Sequence, residues 1–471
     1  MPDPRATSSH AISLWLQEAL PGTEEAPSLQ GAQQADVCIV GGGYTGLWTA
    51  LELKRRQPSL EVTLLEARVC GAGASGRNGG FVLSWWAKFG SLAKLCGSGE
   101  AVRLARASAE AVDEIGRFCG EHGIECHYRP HGWLWTATSP AQIGAWRPVI
   151  EQLEQLGERP FQELTAEEVA RRSGSDRHLA GVLERTAATV QPALLALGLR
   201  RVALEQGVRV YERSPMTRLE PSQLARVHTP AGVVRAERVV LATGAWAAEI
   251  RELRRAIAVI ASDVVATEPS PERLRACGWT DGLCISDSRM LVNYYRTTLD
   301  GRIVFGKGGG ALAFAGRVGT AFDGPSPRAA EVAASLRSIY PHLSDLPVVA
   351  SWTGPIDRSL TGLPFFGRLR RRPDIVYGLG YSGNGVGPTL LGGRILASLV
   401  LGHEDELSSS PLAAGPPGRF PPEPVRYLGG RLVRKAVALK EDAEDAGRRP
   451  SPLVARLADL APAGLVPTKR R

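Results

Sequence analysis

A glycine-rich turn between a short apolar run and a helix is the feature that most constrains this chain. Residues 37–40 are apolar, as is typical of a buried parallel strand. Gly41, Gly43 and Gly46 follow in the spacing G-x-G-x-x-G. Residues 47–57 are predicted to form the next helix. The first glycine permits a tight turn, the second lets a pyrophosphate approach the backbone, and the third lets helix and strand pack closely.

A second strand makes this turn more informative than the motif alone, because a glycine-rich turn can be only a turn. Residues 61–66 are mostly apolar and end in Glu66, which lies twenty residues after Gly46. An acidic side chain at this place can accept a hydrogen bond from a ribose hydroxyl. The unit therefore predicts dinucleotide binding, with the phosphates at the positive end of the helix.

Length and composition favour a soluble protein of two domains. The chain has 471 residues, which is more than one core usually supports. No run of eighteen apolar residues occurs, so a membrane span is not expected. The N-terminus lacks the pattern of a signal peptide and the seven cysteines form no C-x-x-C, which together predict a cytoplasmic protein.

Charge and histidine patterns argue against two other kinds of partner. The net charge is +8, but no long basic run interleaves with aromatic residues, so nucleic acid is not expected. The eight histidines include no H-E-x-x-H motif, and nothing in the sequence indicates a metal site.

Two further glycine-rich stretches are predicted to border the same ligand. Residues 71–80 cannot form a regular element, and a flexible linker is the alternative to a loop around a ligand. Arg77, Asn78 and the aromatic residues that follow favour the loop. Residues 381–387 form the second stretch, ahead of a closing helix over residues 388–401.

The remaining chain predicts a discontinuous cofactor domain. Residues 239–244 are an apolar strand expected in the same parallel sheet as residues 37–40, and residues 375–379 are expected to return to it. Residues 256–352 are predicted to be antiparallel, with a hairpin around Asp300 and Gly301.

Both ends of the chain are predicted to lie outside these domains. A small amphipathic piece at residues 12–20 is expected to be anchored by Trp15. Residues 407–424 are predicted to be a linker and residues 427–445 a helix, and we expect disorder after residue 446.

Together these motifs resemble the D-amino-acid-oxidase-type (DAO) family of FAD-dependent oxidoreductases over about residues 35–405. The resemblance is closest to the branch that contains gamma-glutamylputrescine oxidase and aminophosphonate oxidoreductases. The matching pieces are residues 41–46, Glu66, residues 73–80, residues 242–244, residues 363–367 and residues 381–386.

The family implies an α/β fold (α+β overall), in which a glutathione-reductase-like, Rossmann-type FAD domain carries a substrate domain with an antiparallel sheet. Mapped onto this chain, the division is an N-terminal extension at 1–34, an FAD-binding domain at 35–98, 187–255 and 353–405, a substrate domain at 99–186 and 256–352, and a linker, short helix and disordered tail at 406–471.

The resemblance also implies which residues hold FAD. Relatives often have His in the Y-S-G-x-G turn, where this chain has Asn384. No cysteine occurs after Cys284, so the late-cysteine link of sarcosine-oxidase-like relatives is not available, and non-covalent FAD is expected. The implied cofactor residues are Gly41, Gly43, Tyr44, Thr45, Gly46, Glu66, Ala67, Ser75, Gly76, Arg77, Asn78, Gly79, Met216, Thr243, Gly244, Trp246, Gly383, Asn384, Gly385 and Val386.

The implied reaction is oxidation of the C–N bond of an amine by hydride transfer to flavin N5. The resulting imine hydrolyses, and oxygen or a quinone reoxidises the flavin. Amino acids, polyamine conjugates and aminophosphonates are all open as substrates, and the sequence leaves the oligomeric state open.

Five residues are predicted to face the substrate. Strand alternation puts only one of Tyr294 and Tyr295 on the flavin side, and Arg296 could clamp an anionic group in a bidentate manner. Packing within the sheet is the alternative for each tyrosine, and an ion pair is the alternative for Arg296. The predicted substrate residues are Tyr294, Tyr295, Arg296, Trp352 and Tyr381.

Other functions explain fewer of these features. An NAD-dependent dehydrogenase would share the first motif but not residues 71–80 or 380–387. A serine hydrolase fails because residues 380–384 lack the last glycine of G-x-S-x-G. A flavin-dependent hydroxylase that uses NAD(P)H and a flavin-stabilised, non-catalytic binding protein remain as alternatives.

Overall fold

Two eight-stranded sheets carry the fold. A computed structural model of the chain describes residues 13–220 and 222–462. A small third sheet pairs two short strands. The strands are β1 Gly31–Val40, β2 Val62–Leu65, β3 Phe81–Val82, β4 Trp133–Ala137, β5 Phe161–Leu164, β6 Ala180–Glu184, β7 Ala188–Thr189, β8 Arg209–Tyr211, β9 Arg218–Glu220, β10 Ala225–His228, β11 Gly232–Leu241, β12 Ala258–Thr267, β13 Cys284–Ser286, β14 Asn293–Thr297, β15 Ile303–Lys307, β16 Val348–Arg358, β17 Phe365–Leu369 and β18 Arg372–Leu379.

The described residues form twelve α-helices. One precedes the first strand, and three follow the last strand. The helices are α1 Leu14–Ala19, α2 Tyr44–Arg56, α3 Phe89–Cys96, α4 Ser98–Glu121, α5 Arg147–Glu154, α6 Ala166–Ser173, α7 Pro192–Glu205, α8 Pro271–Ala276, α9 Ala329–Ile339, α10 Pro388–Leu401, α11 Val425–Asp445 and α12 Pro452–Ala458.

The first sheet has a parallel centre. Its main strand order is β17-β18-β11-β1-β2-β8, with β9 and β10 attached beside β11. β1 pairs in parallel with both β2 and β11, and β11 pairs in parallel with β18. Because parallel strands end at one edge, Gly41, Glu66 and Ala242 follow neighbouring strands at that edge.

The glycine turn after β1 is as tight as its motif predicts. Gly41 has a φ of +114°, which side chains of L-residues rarely adopt. A Cβ on Gly46 would lie 2.0 Å from the Gly41 carbonyl oxygen. α2 begins at Tyr44, three residues earlier than the apolar pattern suggested. The helix therefore starts inside the motif, where its first N–H groups face the turn.

The second sheet is mainly antiparallel. Its order is β16-β12-β15-β14-β13-β4-β6-β5, and only β13 with β4 is parallel among its pairs. The hairpin expected around Asp300 and Gly301 is present, with Asn293 opposite Lys307. This mixture of a parallel and an antiparallel sheet confirms the predicted fold class. The predicted domain boundary at residue 353 falls inside β16, and the division into domains stays a prediction.

The ends of the described chain are more ordered than we expected. Trp15 on α1 is buried, with 1% exposure, and its ring nitrogen donates to the Asn78 carbonyl at 2.9 Å. The disorder expected after residue 446 is wrong for residues 452–458, which form α12 with Ser451 as its cap. Residues 1–12 and 463–471 lie outside the described residues. None of the helices in the described ranges is long and apolar enough to cross a membrane.

Candidate active site

A cavity of about 670 Å³ lies between the two sheets. On one side, the ends of the parallel strands supply Val40, Leu65 and Ala242. On the other side lies what we call the second-sheet wall. The second-sheet wall comprises Ile260, Ser262, Met290, Val292, Tyr294, Gly308 and Gly309.

Most residues predicted to hold the cofactor line this cavity. Gly46 and Gly76 do not; each packs behind the lining, where a Cβ would lie 2.0 Å and 2.5 Å, respectively, from a backbone oxygen. The role of every residue in binding stays a prediction. Those that line the cavity are Gly41, Gly43, Tyr44, Thr45, Glu66, Ala67, Ser75, Arg77, Asn78, Gly79, Met216, Thr243, Gly244, Trp246, Gly383, Asn384, Gly385 and Val386.

Glu66 is held in place by two backbone amides. Gly42 N–H donates to Glu66 Oε2 at 2.7 Å, and Arg68 N–H donates to Glu66 Oε1 at 2.9 Å. Burial raises the pKa of the Glu66 carboxyl, while these two donors oppose the rise. A carboxylate has about four acceptor positions, so two remain for hydroxyl groups of a ligand.

The loop at residues 71–80 is bonded to the start of α2 and to the second sheet. Ser75 Oγ accepts the Tyr44 N–H at 2.9 Å, which ties the loop to the start of α2. Arg77 forms an ion pair with Asp323 at 2.5 Å and donates to the Thr353 carbonyl at 3.2 Å. Burial lowers the pKa of Arg77 to about 10. The loop is therefore a fixed wall of the cavity, and the alternative of a flexible linker is wrong.

Three lining side chains without ionic partners have buried polar atoms that accept or donate no hydrogen bond among the described residues. These atoms are Thr243 Oγ1, Asn384 Oδ1 and the Tyr381 hydroxyl oxygen. Asn384 is oriented by its own amide group, which donates to the Ser84 carbonyl at 3.0 Å. Buried polar atoms normally have a partner, so a polar ligand is expected here. Together with Glu66 and the glycine turn, these atoms fit the FAD that the family resemblance implies.

Of the five residues predicted to face a substrate, Tyr294 and Tyr381 line the cavity. The Tyr294 hydroxyl lies 2.8 Å from Ser262 Oγ, and burial raises the pKa of Tyr294 to about 12. Tyr294 therefore stays protonated at neutral pH. The ring of Tyr381 packs edge-on against Phe366, and a Cβ on Gly392 would lie 2.2 Å from its hydroxyl.

Arg296 is not a substrate clamp, which corrects our expectation. Its guanidinium donates to the carbonyls of Gly79 at 2.9 Å and Val190 at 2.6 Å, and it lies 5.0 Å from the ring centre of Trp15. The side chain is 2% exposed and does not line the cavity. Arg296 shares a strand face with Tyr294, but the backbone of residues 79–80 lies across its end of the strand. A clamp from this position is therefore blocked by the loop.

Tyr295 and Trp352 are also directed elsewhere. Tyr295 points to the opposite face of β14, stacks on Phe305 and bonds His178 Nε2 at 2.5 Å in the core of the second sheet. Trp352 donates to the Arg77 carbonyl at 2.9 Å from behind the loop, so it supports the cavity wall without lining it. The expectation that these two face the substrate is wrong.

The sequence reasoning missed two charged residues at the end of β16, Asp357 and Arg358, which line the cavity. Asp357 Oδ2 accepts the Gly380 N–H at 2.6 Å, and burial raises the pKa of Asp357 to about 6. Burial also lowers the pKa of Arg358 to about 10. The available signal was a pair of charged residues ending a mostly apolar strand.

The second-sheet wall, which does not include the lining residues of β16, carries no charged side chain. Its polar groups are the hydroxyls of Ser262 and Tyr294, and the other members are apolar or glycine. Within the described ranges, no cluster of three acidic, His or Cys residues could hold a metal ion.

Comparisons with known proteins agree on one family. A family model described as FAD dependent oxidoreductase (DAO) matches residues 36–399. Gamma-glutamylputrescine oxidoreductase of Escherichia coli (strain K12) is 32% identical over 402 residues, which cover 85% of this chain and 89% of that protein. Glycine oxidase of Pseudomonas aeruginosa is 27% identical over 398 residues, covering 82% and 99%.

Solved structures have the same fold. The crystal structure of glycine oxidase from Geobacillus kaustophilus superposes with a TM-score of 0.66 at 23% identity. The match covers 81% of this chain and 98% of that one.

Proposed function

Because this chain belongs to the DAO family of FAD-dependent oxidoreductases, we propose that it oxidises the C–N bond of a primary or secondary amine. The FAD-dependent relatives named above include an oxidoreductase of gamma-glutamylputrescine and two glycine oxidases. Their names support an amine or amino acid as the substrate class.

The uncharged second-sheet wall is the observation that carries the choice within this class. Arg296, the expected partner for an anionic group, is bonded behind the loop. A carboxylate or phosphonate buried against this wall would find no cationic side chain within the wall, which is costly; Arg358, which also lines the cavity, lies at the end of β16 and outside the wall. We infer that the reacting end of the substrate is a neutral alkylamine, as in a polyamine conjugate, and that any anionic group lies away from this wall.

When bound, FAD supplies the acceptor for the hydride that leaves the carbon beside the amine. The apolar side chains of Ile260, Met290 and Val292 exclude water and disfavour the ammonium form of the substrate. The Tyr294 and Ser262 hydroxyls can orient a neutral amine, because both donate and accept hydrogen bonds. These residues position the substrate, and no strong protein base is required.

We also infer that FAD is bound without a covalent link to cysteine. None of the described cysteines lines the cavity. The acceptor that reoxidises the flavin, oxygen or a quinone, and a cytoplasmic location stay predictions.

Anaerobic bleaching of the purified yellow protein tests the proposal. The panel contains a gamma-glutamyl polyamine conjugate, a neutral alkylamine, glycine and NADPH. We expect the conjugate and the alkylamine to bleach the flavin faster than glycine. Bleaching by NADPH alone would instead indicate a hydroxylase, and a flavin that no compound reduces would indicate a binding protein.

A further inference from the structure

The C-terminal helices lie beyond the family match, which ends at residue 399, yet they contact the second-sheet wall. Glu441 on α11 is 8% exposed. Its Oε1 accepts the N–H of Met290 at 2.7 Å and the N–H of Leu291 at 3.1 Å. One carboxylate oxygen thus holds two consecutive amides of a loop that lines the cavity.

A second loop of the wall is attached to the same helix. The Arg434 guanidinium donates to the Gly309 carbonyl. Leu291 lies directly over Gly309, where a Cβ would be 2.3 Å from Leu291 Cδ2. The two loops therefore support one another, and α11 contacts both.

Charged and apolar contacts reinforce this attachment. Arg289 pairs with Asp287 at 3.0 Å and with Asp445 of α11 at 2.5 Å. Met290 and Leu291 pack against the small apolar cluster that α11 forms with α12, which includes Ala436 and Val437. Met290 therefore has α11 on one side and the cavity on the other.

From these contacts we propose that α11 is a specificity element, in which Glu441 is the positioning residue that holds Met290 against the cavity and so limits the bulk of the amine that enters. This inference rests on the proposed function for its kinetic consequence. Its structural part, the placement of the Met290 loop, does not depend on the identity of the substrate.

Two replacements of Glu441 separate its acceptor from its charge. Glu441→Gln keeps an oxygen that can accept both amides, whereas Glu441→Ala removes it. The matched control is Asp442→Ala, which removes an exposed acidic side chain from the next position of the same helix.

The first measurement is acrylamide quenching of flavin fluorescence in each FAD-loaded variant. We expect the quenching constant to rise about threefold in Glu441→Ala, because the loop opens locally. It should rise much less in Glu441→Gln and stay unchanged in Asp442→Ala. Deuterium uptake at residues 287–293 should follow the same order.

The second measurement is steady-state kinetics with n-alkylamines and N-substituted amines of increasing bulk. Glu441→Ala should lower KM for the bulkiest amine about tenfold relative to the smallest, with kcat changed little. Met290→Ala widens the wall directly and should give the same shift even where Glu441→Ala folds poorly. The double variant should add nothing further.

The outcomes distinguish the two proposals. Equal quenching and equal size preference in Glu441→Ala and Asp442→Ala would overturn the specificity role. So would a Met290→Ala variant with the parent's preference. A changed quenching constant in a protein that no amine reduces would support the placement of the loop while overturning the amine-oxidising function.

Discussion

The two sides of the cavity are built in different ways. The side at the first sheet is formed largely by backbone, since the glycine turn follows β1 and the loop at 71–80 lies beside that turn. Glu66, directly after β2, adds a carboxylate. The second-sheet wall is made of side chains on alternate strand positions and of loops supported by α11. A surface formed by backbone can be recognised from a local sequence motif. The direction of side chains in the second-sheet wall depends instead on the residues that pack around them.

Replacing Gly46 by Ala should have the largest effect on FAD binding. It tests whether the first-sheet side of the cavity tolerates an added side chain. The added Cβ would lie 2.0 Å from the Gly41 carbonyl oxygen, and neither backbone can move without opening the turn. We expect FAD affinity to fall by about 3 kcal/mol or more. Titration of the apoprotein with FAD measures this.

The control for Gly46→Ala is Gly120→Ala on α4, where an added Cβ meets nothing within 4 Å. It should bind FAD like the parent. An unchanged FAD affinity in Gly46→Ala would mean that the turn is not the constrained element that the comparison requires.

Arg296→Met should have the next largest effect, on stability rather than on catalysis. The substitution leaves the carbonyls of Gly79 and Val190 without their donor, so the free energy of unfolding should fall by about 2–4 kcal/mol. Urea unfolding of the FAD-loaded protein gives this number. A selective loss of activity on anionic amines, with unchanged stability, would restore the clamp that the structure argues against.

Glu66→Ala should weaken FAD binding by about 1.5–3 kcal/mol, because a ribose hydroxyl loses a charged acceptor. The variant also frees the amides of Gly42 and Arg68. Glu66→Gln serves as the comparison, since it keeps one acceptor oxygen and should lose less. Equal affinity in Glu66→Ala and the parent would exclude Glu66 as the ribose ligand.

The smallest effects should come from the paired tyrosines of β14. Tyr294→Phe removes a hydroxyl from the second-sheet wall. It should raise the activation free energy that corresponds to kcat/KM by about 0.5–1.5 kcal/mol. Tyr295→Phe removes a bond to His178 in the core and should change stability by a similar amount, with normal kinetics. The opposite pattern would mean that the wall is on the other face of the strand.

The sequence predicted the strands of the parallel sheet, the glycine turn, Glu66 and the loop at 71–80, because each of these is marked by residues close together in the chain. It did not predict the substrate side. Strand alternation separated Tyr294 from Tyr295, but it could not show that residues 79–80 cross the strand before Arg296. Nor could it show Glu441 beside Met290, since that contact joins residues far apart in the chain.

The central sheet also has a consequence for how the protein is made. One edge of β1 has no partner until β11 has been synthesised, since Val37 pairs with Arg238. β11 in turn pairs with β18, in which Ile375 lies beside Val239. Until β18 leaves the ribosome, the nascent chain has an unpaired apolar strand edge, which favours aggregation. Folding during translation therefore requires that the incomplete sheet does not pair with other chains. The cavity between the two sheets is completed only near the end of synthesis.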